Sequence, residues 1–106
     1  SIGSSYTLSN RGPELVLEGF REGKQVKTDN VNIFDLDLKT LRYDSLENAV
    51  IISCYADIGG CVKRVLILDK KKSFRERWLI GIPDGVSGQI IEHEFRLVLN
   101  EMLKKY

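Results

Sequence analysis

Apolar and polar residues alternate through most of the first 82 positions, and the period then changes. Ile91, Phe95, Val98, Leu99 and Met102 recur at i, i+4, i+7, i+8 and i+11, which places them on one side of an α-helix over residues 87–106. Glu92, Glu94, Arg96, Asn100 and Glu101 fall mostly elsewhere around the wheel. Ser87 stands where a side-chain oxygen can accept from a first-turn amide. Lys104 and Lys105 stand where the helix dipole favours positive charge.

Upstream, the two-residue period of strands dominates. Leu15, Leu17 and Gly19 alternate with Val16, Glu18 and Phe20, the chain turns at Glu22-Gly23, and Lys24–Thr28 returns as the second arm of a hairpin. Asp29-Asn30 is expected to interrupt it. Val31–Leu38 and Lys39–Tyr43 follow with a bend between them. Ala49–Ala56 and Cys61–Leu68 are the two strongest strands, rich in β-branched residues and expected to pair across Asp57-Ile58-Gly59-Gly60. Ser73–Ile82 is a last strand whose Phe74, Trp78, Ile80 and Ile82 share the core-facing parity, with Glu76 as the exception.

This succession predicts an α+β, mainly β domain: a curled, antiparallel six- to seven-stranded sheet or barrel, capped by one C-terminal helix that plugs its open end. Residues 1–12 are expected to be a flexible lead-in or short strand, in part vector-derived, and residues 13–106 a single domain. The 106 residues suit one core.

Composition narrows the function classes. A content of 42% hydrophobic and 29% charged residues is ordinary for a globular protein, and a formal charge of +1 argues against a dedicated nucleic-acid binder. Tyr43 or Tyr55 could stack bases only if exposed beside basic residues. No apolar run is long enough for a transmembrane helix. Cys54 and Cys61 flank the expected hairpin turn several residues out of register, so buried free thiols in a reducing compartment are the expectation.

The order of elements, with the tryptophan-bearing last strand Phe74–Ile82 leading through Pro83-Asp84-Gly85 into an amphipathic helix, resembles the pleckstrin-homology-like superfold. That resemblance implies a non-enzymatic interaction module of the cytoplasm or nucleus that docks a protein or peptide partner. The alternative it implies is a peripheral membrane module for phosphoinositide headgroups. Lipid-binding members carry basic residues in and after the first hairpin turn, where this chain offers Arg21, Lys24 and Lys27.

A second basic group, Lys70, Lys71, Lys72, Arg75 and Arg77, lies in DKKKSFRER and could hold phosphate or an acidic peptide by charge-assisted hydrogen bonds. Solvated turns are the simpler explanation of both groups, and the sequence gives no reason to merge them. Asp35 and Asp37 would lie about 7 Å apart on one strand face, but no third carboxylate or histidine joins them into a metal site. His93, the one histidine, is expected on the solvent side of the helix. No set of residues suggests a catalytic centre or a cofactor site.

Overall fold

A computed structural model describes residues 3–106. Its strands are β1 (Ser4–Arg11), β2 (Glu14–Arg21), β3 (Lys24–Asn32), β4 (Leu36–Asp44), β5 (Ala49–Cys54), β6 (Val62–Leu66), β7 (Lys72–Arg75) and β8 (Arg77–Gly81), followed by helix α1 (Gly88–Lys105). A short 3-10 turn, Ile33–Asp35, links β3 to β4.

The strands form two antiparallel sheets, in the orders β1-β2-β3-β6-β7 and β4-β5-β8, and the sheets do not close into a barrel. Two sheets with a C-terminal helix are compatible with a pleckstrin-homology-like fold. The expected succession of hairpins is corrected at its centre. β5 pairs with β4 and β8, and β6 pairs with β3 and β7, so the two strongest strands lie in different sheets. The chain between them crosses from one layer to the other. Both strands bury apolar residues, and separate layers let both face one core.

That crossing also corrects the reading of the cysteines. Cys54 ends β5 and Cys61 immediately precedes β6, and the crossing brings their Cα atoms to 5.9 Å in a disulfide. The expected last strand is likewise two strands. Glu76 bends the chain so that β7 completes the larger sheet and β8 the smaller, and its carbonyl accepts from the Cys54 amide at 2.8 Å. Trp78, Ile80 and Ile82 are buried as expected, but Phe74 lies before the bend and is exposed.

β3 runs on through Asp29 and Asn30 without a break. Asp35 and Asp37 do not share a strand face, because Asp35 closes the 3-10 turn and Asp37 accepts from the Lys39 amide in β4. The expected lead-in at Tyr6–Asn10 is a full edge strand in register with β2, while Ser1 and Ile2 lie outside the described residues.

The helix lies against β4, β5 and the 3-10 turn. Phe95, Leu99 and Met102 are buried, Ile91 and Leu103 pack at the margin, and Val98 points mainly outward. Phe95 meets Trp78 edge-on, with ring centroids 6.0 Å apart. At the N-terminal end Gly88 lies against the Tyr43 ring, where no Cβ fits. Glu92 accepts from the Tyr43 amide, and Arg96 donates to the Leu41 carbonyl. Ser87 does not cap as expected, since its hydroxyl bonds Gln89.

Candidate functional site

Register places the basic groups. Arg21 faces Lys24 at the β2–β3 turn, and Lys27 faces Leu66 at the end of β6. The Ile67 amide donates to the Val26 carbonyl at 2.9 Å, and the Leu66 amide to the Lys71 carbonyl at 2.9 Å. The β6–β7 turn therefore sits beside the β2–β3 turn, at one end of the larger sheet. Arg21, Lys24, Lys70, Lys71 and Lys72 are all exposed there. Neighbouring strands lie about 4.8 Å apart, so adjacent turns place these cations within reach of one partner surface.

Arg75 and Arg77 do not join them. Arg75 pairs with Val62 at the far end of β6, and Arg77 sits opposite Ser53 in the other sheet. Both line a shallow depression beside Glu76 and Gly60. Their expected common strand face is lost at the Glu76 bend.

Apolar side chains crown the basic end. The Leu66–Lys71 hydrogen bond closes a four-residue loop, Ile67 to Lys70, in which Lys70 takes a left-handed φ of 56°. Leu68 at its tip is 99% exposed, and Leu66, Ile67 and Val26 are each partly exposed around it. Leu46, in the β4–β5 turn, is as exposed as Leu68, but only Leu68 has partly exposed Leu66, Ile67 and Val26 and a set of lysines around it.

Lys27 is positioned differently from the other lysines. Its side chain runs inward over Gly19, where a Cβ would lie 2.9 Å from Lys27 Cγ. The ammonium stands 3.7 Å from Asp29 Oδ2. Burial pushes the pKa of Lys27 below its ordinary value; Asp29 opposes this, while Arg64 and Arg75 repel the charge and add to the lowering.

Asp29 is fully buried. Arg64 grips it from β6, Nε to Oδ1 at 2.8 Å and Nη2 to Oδ2 at 3.0 Å, and Trp78 Nε1 donates to Oδ2 at 3.2 Å from the opposite sheet. This polar cluster was missed in the sequence because Asp29-Asn30 looks like a strand break. The available signal was one acid inside β3, on the parity of Val31, and one arginine inside β6, on the parity of Val62. An acid and an arginine turned toward the core are each tolerated only if they meet.

Between the layers at the basic end lies a cleft of about 330 Å³. Phe20, Val26, Ile80, Ile82 and Pro83 supply its apolar walls, Lys27 its polar floor, and Arg21 its rim. Tyr6 also borders it, its phenol pKa raised by burial and by Glu94.

The remaining candidates do not assemble into a centre. His93 is exposed as expected. Among the described residues no three His, Cys, Asp or Glu side chains are grouped to hold a metal ion. Tyr43 packs on the helix N-terminus, away from the basic turns, and Tyr55 lies by Cys54 and Arg77. Among the described residues no helix is long and apolar enough to cross a membrane. The chain matches no protein-family model, and searches of curated proteins and of solved structures find no match either.

Proposed function

We propose that this protein is a non-enzymatic binding module that meets an anionic membrane surface with the turn-bearing end of its larger sheet. The observation that carries the reading is the exposed Leu68, set in a loop flanked by Lys70, Lys71 and Lys72 and adjoining the turn that holds Arg21 and Lys24. Lysines near an anionic leaflet contribute about 1 kcal/mol each, and an apolar tip gains by leaving water for the headgroup boundary. Phosphoinositide headgroups, rich in phosphate, fit the same cations. The pleckstrin-homology-like resemblance is in keeping with such a role.

Vesicle flotation at physiological salt tests this reading. Binding is expected to phosphatidylcholine vesicles that contain phosphatidylserine or a phosphoinositide, and not to phosphatidylcholine alone. Lys71→Ala should weaken it about fivefold, in line with one lysine's contribution, and Leu68→Asp should abolish it. Failure to bind either anionic vesicle would leave the lysines as solvation of a turn.

A second reading, docking of a protein or peptide partner, draws on β1. This strand is eight residues long and pairs on one side only, with β2, leaving an edge that an extended peptide could join. Chemical-shift changes confined to Ser4–Arg11 on adding a partner would favour it.

A further inference from the structure

The charges around the interlayer cleft are unequal. The single carboxylate of Asp29 faces both the guanidinium of Arg64, in two short hydrogen bonds, and the ammonium of Lys27 at 3.7 Å, a contact longer than a hydrogen bond. An ammonium has three donors, and Asp29 takes at most one of them. Among the described residues Lys27 therefore has donors to spare, and it brings a positive charge to the floor of a cleft with apolar walls. Gly19 keeps this arrangement open, since any side chain there would collide with the lysine stem.

We infer that the cleft binds a single small anionic amphiphile, its carboxylate or phosphate head on Lys27 and Arg21 and its apolar tail against Phe20, Val26 and Ile82. Charge complementarity selects the head. A cationic head would meet Lys27 and Arg21 together, and a neutral one would leave the spare ammonium donors unused. The apolar walls select the tail, and a volume of about 330 Å³ suits a small ligand, at the lower end of the usual range for ligand pockets. The cleft shares Arg21 and Val26 with the turn-bearing end, whereas Lys27, Ile80, Ile82 and Pro83 belong to the cleft alone, and its test does not depend on the membrane reading.

Two-dimensional amide spectra recorded during titration with octanoate, octyl phosphate and octylamine provide the test. Saturable shifts are expected at Phe20, Val26, Lys27 and Ile82 with the two anions and not with the amine. Lys27→Met, which keeps the stem over Gly19, should weaken octanoate binding at least tenfold, and Lys27→Arg should restore most of it. Val26→Trp, which fills the cleft, should abolish binding, with dispersed spectra confirming that each variant is folded. Equal binding of octylamine, or octanoate binding unchanged in Lys27→Met, would overturn the proposal.

The same variants on vesicles separate two sources of the ligand. If Lys27→Met also weakens vesicle binding, the occupant is a membrane lipid; if vesicle binding persists, it is a free amphiphile. Lys71→Ala should leave octanoate binding intact, so loss of vesicle binding alone would count against the membrane reading and not against the cleft.

Discussion

The carboxylate of Asp29 and the guanidinium of Arg64 form a two-point ion pair between neighbouring strands of one sheet, inside the core, at 2.8 and 3.0 Å. Asp29 has no exposed surface, and Trp78 reaches it from the other sheet. The pair thus ties the two layers together by way of an indole N–H.

Removing one partner of such a pair leaves a buried charge uncompensated, which costs about 3–5 kcal/mol, whereas removing both costs less. Arg64→Met should therefore destabilise by that amount in a urea titration. Asp29→Leu combined with Arg64→Met should cost less than the sum of the two single changes. Strict additivity would mean that the two groups do not depend on each other. Trp78→Phe should lose about 1 kcal/mol for its hydrogen bond, beyond any packing effect.

The disulfide joins the end of β5 to the start of β6 and closes a loop with a sequence separation of 7. Restricting a loop that short in the unfolded chain stabilises by about 2–3 kcal/mol. Adding a reductant should lower the urea midpoint correspondingly without changing the strand content seen by circular dichroism. An unchanged midpoint would show that the crossing is held by packing alone.

The helix should report its seating through three positions. Phe95→Ala should cost about 3–5 kcal/mol, and Val98→Ala well under 1 kcal/mol, because Phe95 is buried against Trp78 and Val98 is 39% exposed. Gly88→Ala sets two effects against each other. Alanine favours a helix over glycine by about 1 kcal/mol, but overpacking against Tyr43 costs about 1–3 kcal/mol. A net loss is expected, and it should disappear in a Tyr43→Ala background.

Stability at alkaline pH should reflect Lys27 and Tyr6 with opposite signs. Lys27 has a lowered pKa when folded, so between that value and its ordinary value of 10.5 the unfolded chain binds more protons and stability rises with pH. Tyr6 has a raised pKa, so above 10.0 the folded state holds more protons and stability falls. Wild type should gain on Lys27→Met as the pH is raised from neutral toward 10, and Tyr6→Phe should lessen the loss above it. Urea midpoints measured across that range check both signs.

The C-terminal helix, the hairpin at Glu22-Gly23 and the inward set Trp78, Ile80 and Ile82 were legible from the sequence alone, because each follows from a local repeat of apolar residues or a turn signal. Of the basic residues, the exposed ones were visible as charges, but nothing local says that Lys24 and Lys71 share an end. That depends on β3, which ends at Asn32, pairing with β6, which begins at Val62.

The sequence by itself determined the hairpin around Glu22-Gly23, the apolar cores of β5 and β6 and the C-terminal helix, since alternation and 3.6-residue periodicity are properties of neighbouring residues. Only the tertiary structure decided that β5 and β6 occupy different sheets, that Cys54 therefore meets Cys61, and that Asp29 meets Arg64 inside the core. The physical reason is that strand pairing and charge burial are settled between residues distant in sequence. A buried carboxylate looks like a turn residue until its partner, 35 positions away, arrives beside it.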